Sequence, residues 1–277
     1  ISLNLDVNQI EAAIGPRTKA LFVVHYAGRP CAMDTIVEIC QRRKLRLVED
    51  AAQGVHGFYC GKALGSIGAL GAFSFHHSKS ISCGEGGALC INDLDLIARA
   101  EIIRQKGTNR NQYLRGEVSK YSWVDLGSSH IPSELTAAHL LAQLEAIENV
   151  ADRHRKLHNR YQTMLEPIAK AGLLQLPPKS DDQFRSSHHL FFIILPTAEM
   201  RIALCDYLRC RDIGSAFHFV PLHTSEMAKK LGVNAAPLPV TEAYANRLLR
   251  LPMYFDLAFS DQQRVVDTVE IFFKDRR

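Results

Sequence analysis

The chain has 277 residues, 47% hydrophobic and 22% charged, with a formal net charge of +4. That length accommodates one large or two ordinary domains, and the composition is that of a soluble globular protein. Scattered Lys and Arg on so mild a charge argue against nucleic-acid binding, and no apolar run approaches the roughly 18 residues of a membrane span.

Seven Cys form no CxxC pair and sit mostly among apolar or small residues. Reduced thiols in a cytoplasmic protein are expected. Among 12 His, His76-His77 and His188-His189 are adjacent and His218 and His223 are five apart. None has the i, i+4 spacing of a helical zinc site, so no metal is expected. The first residue is Ile1 rather than Met, and the opening reads as mid-domain sequence, so further polypeptide upstream is expected.

In chain order, Val7 to Ile14 is a short amphipathic helix stopped by Gly15-Pro16. Ala20 to Val24 is a continuous apolar run, as for a buried parallel strand. A helix from Asp34 to Lys44 and a strand from Leu45 to Val48 follow. Ala69 to Phe75 and Gly87 to Ile91 are further strands. A helix from Leu94 to Lys106 places Leu96, Ile97, Ala100 and Ile103 on one face, and Gly107 ends it. Ser133, an N-cap after Pro132, opens a long helical stretch to Ala171, with a bend or break expected at Pro167. Pro177-Pro178 and Ser180-Asp181-Asp182 read as a surface loop. Leu190 to Leu195 is a strand, Glu199 to Leu208 a helix and Ile213 to Val220 a strand. Ser260 and Gln263 form a capping box for a last helix carrying Val265, Val266, Val269, Phe272 and Phe273. The expected division is a large α/β domain over 1–135, a bridging helical region over 136–172 and a smaller C-terminal α/β domain over 173–277.

Two segments carry chemistry. Glu49-Asp50-Ala51-Ala52-Gln53 puts two carboxylates after an apolar strand, where open α/β sheets bind ligands. An acid there is placed to meet a cationic ring nitrogen, beside two small residues that let a flat ring approach; a helix-capping Asp is the plain alternative. From Phe73 through Ser74, His76, His77 and Lys79 to Gly84-Glu85-Gly86-Gly87, a strand end and a polar turn present a lysine ahead of a glycine-rich return. A lone Lys is ordinarily surface charge, but a reactive amine needs such a preorganised setting.

These two segments resemble the DegT-type sugar-nucleotide aminotransferases, which depend on pyridoxal 5′-phosphate (PLP). So does Val24-His25-Tyr26-Ala27-Gly28. Lys106 to Arg110, Tyr121 to Ser129, Phe217 to His223 and Arg247 to Pro252 are most similar to the subgroup making dTDP-4-amino-4,6-dideoxygalactose for enterobacterial common antigen. The resemblance runs over essentially the whole chain. It implies the aspartate aminotransferase (type I) fold: a mostly parallel sheet in a large domain, incomplete at its N-terminus here, plus a smaller C-terminal domain. It also implies Lys79 as the Schiff-base lysine and proton carrier, Asp50 on the pyridine nitrogen, Gln53 near the ring 3-oxygen and Ser74 on the phosphate. His76 lines the pocket or is structural. Arg110, Tyr121, His218 and Arg250 are substrate candidates; the two Arg serve equally as salt-bridge partners. The implied reaction moves the amino group of L-glutamate to C4 of dTDP-4-dehydro-6-deoxy-D-glucose, in a homodimer.

Three features depart from the family pattern. Relatives carry upstream a phosphate-cradling turn at a helix N-terminus. They often have Asn where Ser80 follows the lysine. The subgroup has one residue more between the lysine and the glycine-rich return. A catalytically silent relative that binds a sugar nucleotide or a partner is therefore the competing reading. Lys79 argues against the related dehydratases, which carry His there, and no GxGxxG follows a strand to suggest a simple nucleotide-binding fold.

Overall fold

The computed structural model describes residues 2–180, 183–233 and 237–276. Asp181 and Asp182 of the expected surface loop lie outside the described residues. The chain divides into two compact units, one formed by Asn4–Glu148 with 183–186 and the other by 149–180 and 187–276 with 2–3.

The N-terminal unit opens with α1 (Ile10–Ala13), β1 (Ala20–Val24), α2 (Met33–Arg43) and β2 (Arg46–Asp50). A small hairpin follows, β3 (Phe58–Tyr59) and β4 (Lys62–Ala63), then β5 (Leu70–Ser74) and β6 (Gly87–Ile91). The main sheet has four strands in the order β1-β2-β5-β6. β1, β2 and β5 run parallel and β6 returns antiparallel to β5. The hairpin pairs through β3 with β7 (Phe184–Arg185). The unit ends in α3 (Ile97–Arg104), α4 (Arg110–Leu114) and α5 (Glu134–Glu145).

Side chains alternate across a pleated sheet, so the register assigns each to a face. Val23 and Leu47 turn to one side and bury against Met33, Ile36, Ile39 and Cys40 of α2. Phe22, Val48 and Leu70 are register partners on the other side, as are Val24, Asp50, Ala72 and Leu89. On this second face Phe22 is 69% exposed, and Val24 and Leu89 about half exposed. The sheet is therefore covered on one face and, among the described residues, open on the other.

The C-terminal unit is built on α6 (Ile147–Lys170), β8 (Phe191–Ile194), α7 (Ala198–Arg209), α8 (Glu226–Lys230), α9 (Pro239–Arg247), β9 (Leu248–Leu251) and α10 (Phe259–Lys274). β8 and β9 form an antiparallel ribbon. All four β8 residues are buried. They join Leu157, Tyr161 and Leu165 of α6, Leu204 and Leu208 of α7 and Val265, Val266, Val269 and Phe272 of α10 in one core. The Tyr161 ring stacks on Phe191 at 4.9 Å, and its hydroxyl donates to the Pro252 carbonyl at 2.9 Å.

Several local expectations are corrected. The long stretch from Ser133 is two helices: Ser133 caps α5 by accepting from the Thr136 N–H, and α5 ends at Ala146. Pro167 does not break α6, which continues to Lys170. One forfeited hydrogen bond near a helix end is outweighed by the buried stripe running from His154 through Ile168. Ile213 to Val220 is no strand: Ala216 alone bridges to Arg250, and Pro221 just beyond has no N–H to extend a ladder. The Ser260–Gln263 capping box does not form, because α10 begins at Phe259 and Gln263 instead bonds Asp267 and Arg160. The apolar residues of α3 bury none of their number fully. No helix among the described residues is long and apolar enough to cross a membrane. All seven Cys are free thiols.

Candidate active site

Glu49 and Asp50 are the last two residues of β2 rather than residues beyond it. The pleat therefore sends them to opposite faces. Glu49 goes into the covered side and is fully buried. Its Oε1 accepts from the Ile67 and Gly68 N–H groups at 2.7 and 2.6 Å, and its Oε2 from the Gly65 N–H at 2.9 Å. His25 completes the set at 2.9 Å through Nε2. The His25 Nδ1 accepts from the Cys31 N–H at 3.2 Å, so in the neutral ring Nε2 carries the proton given to Glu49. Burial pushes the Glu49 carboxyl up, but the His25 bond and the Gly68, Gly65 and Ile67 N–H groups prevail and hold it below the usual range. Glu49 thus pins the loop 65–68 against the sheet. Gly71 is required there, since a Cβ on it would stand 2.0 Å from the Gly65 carbonyl oxygen.

Asp50 goes to the open face, in register with Val24 and Ala72. Its Oδ1 accepts from the Ala52 N–H at 2.9 Å, which fixes the carboxylate at the strand end. Its other oxygen accepts no hydrogen bond among the described residues. Ala51 is fully buried beneath, its N–H given to the Ala72 carbonyl. The Gln53 Oε1 accepts from the Ala27 N–H at 2.6 Å, joining the exits of β1 and β2. Ser74 ends β5 opposite Gly87, on the same face as Asp50, and its hydroxyl accepts from the His76 N–H at 3.4 Å.

From Ser74 the chain makes a tight turn closed by the Lys79 N–H on the His76 carbonyl at 2.9 Å. Backbone bonds from Phe75 to Gly86 and from His77 to Gly84 tie the turn to the glycine-rich return. Gly84, at φ +86°, takes the left-handed bend of that return. The sheet thus gathers Asp50, Gln53, Ser74, His76 and Lys79 around the C-terminal ends of two neighbouring parallel strands. These residues bring a carboxylate, an amide, a hydroxyl, an imidazole and a primary amine. That set fits PLP, which is flat, carries a basic ring nitrogen and a phosphate, and has an aldehyde that an amine can capture.

The substrate candidates are distributed over both units. Arg110 opens α4, exposed, and Tyr121 lies in the loop beyond, its ring 5.7 Å from Tyr113. In the C-terminal unit His218 is buried. Arg250 sits on β9 with its guanidinium 5.8 Å from the Phe219 ring, and its buried Nε has no hydrogen-bond partner among the described residues. Sequence reasoning missed the part played by Glu49 and His25; the parity of a strand extended through Asp50 is the signal that separates the two carboxylates.

The sequence pattern of the DegT/DnrJ/EryC1/StrS aminotransferase family matches residues 1–270. The spore coat polysaccharide biosynthesis protein SpsC of Bacillus subtilis is 32% identical over 279 residues, covering 97% of this chain and 70% of SpsC. Among solved structures, the aminotransferase TlmJ of Streptoalloteichus hindustanus superposes with a TM-score of 0.89 at 28% identity, covering 100% of this chain and 71% of TlmJ. DesV of S. venezuelae superposes at 0.84 with 32% identity, covering 97% and 69%. The chain belongs to the DegT/DnrJ/EryC1/StrS family of aminotransferases, enzymes of the PLP-dependent type I fold.

Proposed function

We propose that the chain passes the amino group of L-glutamate to the C4 ketone of a nucleotide-linked 4-keto-6-deoxy sugar. The acceptor would be dTDP-4-dehydro-6-deoxy-D-glucose and the product dTDP-4-amino-4,6-dideoxy-D-galactose. The observation supporting a transamination site most directly is that Asp50 and Ser74 leave one sheet face at adjacent parallel strand ends, with Lys79 on the turn just beyond. The subgroup motifs at 106–110, 121–129, 217–223 and 247–252 support the choice of sugar.

In this reading Asp50 holds the ring nitrogen, Gln53 lies by the ring oxygen, Ser74 binds the phosphate and Lys79 anchors the cofactor. When bound, PLP supplies an electron sink that makes the proton on the amine-bearing carbon removable. The Lys79 amine would take that proton from the amine-bearing carbon of glutamate and deliver it to the cofactor's C4′ carbon, and would run the same transfer in reverse for the sugar C4. Asp50 keeps the ring nitrogen protonated by its negative charge. Ala51 and Ala52 leave space for the flat ring. His76 lines the pocket.

Arg250 is assigned to an anionic group, either the glutamate carboxylate or the nucleotide phosphate. Its unpaired Nε supports this, because a buried guanidinium donor without an acceptor is unfavourable until an anion arrives. Arg110, Tyr121 and His218 are assigned to the nucleotide-sugar. The working enzyme is a cytoplasmic homodimer.

Turnover with L-glutamate and dTDP-4-dehydro-6-deoxy-D-glucose, followed by NMR of the sugar product, tests the assignment. Amination at C4 with the axial stereochemistry of the galactose product, together with release of 2-oxoglutarate, is expected. Amination at C3, or turnover of other keto sugars while this one is inert, would overturn the choice of substrate.

A further inference from the structure

The turn that carries Lys79 holds a second constellation. One ring nitrogen each of His76 and His77 and a carboxylate oxygen of Glu85 all lie within 4.8 Å of one another. Along the sequence His76 and Glu85 are nine apart, which matches no helical ligand spacing. The hairpin brings them together instead. The His77 N–H donates to the Gly84 carbonyl at 2.7 Å and the Phe75 N–H to the Gly86 carbonyl at 2.8 Å, so Glu85 is held across from the His pair.

The His76 Nε2 already stands 3.6 Å from the Glu85 Oε1. In a tetrahedral site with metal–ligand bonds near 2.0–2.2 Å, neighbouring ligand atoms are about 3.4 Å apart. Closing the set therefore takes side-chain rotations at half-exposed and exposed positions, with no change of backbone. The other His76 nitrogen, Nδ1, is 2.8 Å from the Ser78 hydroxyl. Nδ1 also accepts from the Ser78 N–H at 3.2 Å, which fixes the ring in the turn; in the neutral ring Nε2 then carries the proton, and an ion bound at Nε2 displaces it.

We infer that His76, His77 and Glu85 form a binding site for a divalent late first-row transition ion, of the zinc or cobalt class, with water completing its coordination. Two imidazoles and one carboxylate select such ions over magnesium and calcium, which take oxygen ligands. Occupation would pin the turn to its glycine-rich return. The inference rests on donor geometry and holds whether or not Lys79 is the cofactor anchor.

Titration of the untagged protein with Co²⁺, read by its visible d–d absorption, tests it. One saturable equivalent with the bands of nitrogen and oxygen ligands is expected. His77→Ala and Glu85→Gln should each weaken that equivalent by at least about tenfold, with unchanged far-ultraviolet circular dichroism. Lys79→Ala should bind Co²⁺ as the parent does, which separates this site from the cofactor reading. Absence of a saturable signal, a signal retained in both ligand variants, or an intense thiolate-to-cobalt charge-transfer band would overturn the inference.

Discussion

In the C-terminal unit the β8–β9 ribbon is buried along almost every residue, under α6, α7 and α10. In the N-terminal unit the β1-β2-β5-β6 sheet is packed against α2 on one face, while the other presents Phe22, Val24 and Leu89 to solvent. The first sheet serves chiefly as packing, and Arg250 on β9 is the one residue of its two strands that is not buried. The second is open on that face among the described residues, and Asp50 and Ser74 lie on it. Polar groups can approach a ligand only from a surface that the fold has not already filled.

Three substitutions test the contrast. Lys79→Ala should lower transamination by about 10²–10⁴-fold or more, the range associated with losing a positioned acid/base group, while leaving the thermal midpoint near that of the parent. Phe191→Ala, in the covered ribbon, should lower stability by about 3–5 kcal/mol in a urea titration. Phe22→Ser, on the open face, should stay within about 0.5 kcal/mol. A comparable loss at Phe22 would show that the open face is covered in solution.

Glu49 and Asp50 make the same comparison one residue apart. Glu49→Gln puts an NH₂ among groups that donate, and should cost about 1–3 kcal/mol through the loop 65–68, with little direct effect on the ring. Asp50→Asn should leave stability alone and weaken cofactor retention. Equal stability losses for the two substitutions would contradict the assignment of opposite faces.

The smallest effect concerns pH. Burial and then neighbouring His188 press the His158 imidazole down to about 3. Its unfolded value is near 6.5, so the unfolded chain binds the proton that the folded chain refuses. Stability from this group is complete above about pH 6.5 and is lost as pH falls toward 3, with a slope of about 1.4 kcal/mol per pH unit. His154, also lowered mainly by burial, adds in the same direction. His158→Phe should flatten the acid limb of stability against pH; an unchanged limb would place the acid sensitivity elsewhere.

Continuous apolar runs revealed β1, β5 and β8 in the sequence; β8 is buried at all four residues, as such a run predicts, whereas β1 keeps Phe22 and Val24 exposed, so its run overstates its burial. The Lys79 turn was legible for another reason: a strand end, a polar turn and paired glycines each restrict the backbone. The break at Ala146 was not legible, since Glu145, Ala146 and Ile147 are all acceptable in a helix. The capping box at Ser260 misled because capping depends on where the chain enters the helix, and here it enters two residues earlier, from Ala258. The faces of Glu49 and Asp50 depended on a strand two residues longer than the apolar run, which polar residues at a sheet's edge conceal.

Borohydride reduction of the PLP-loaded protein, followed by peptide mapping, tests the central claim most directly. A visible or near-ultraviolet band that reduction removes, with the cofactor fixed to the peptide carrying Lys79 and neither effect in Lys79→Ala, is the predicted result. A reduced cofactor on a different lysine, or no band with added PLP, would contradict the placement of the reaction at the open face of the N-terminal sheet.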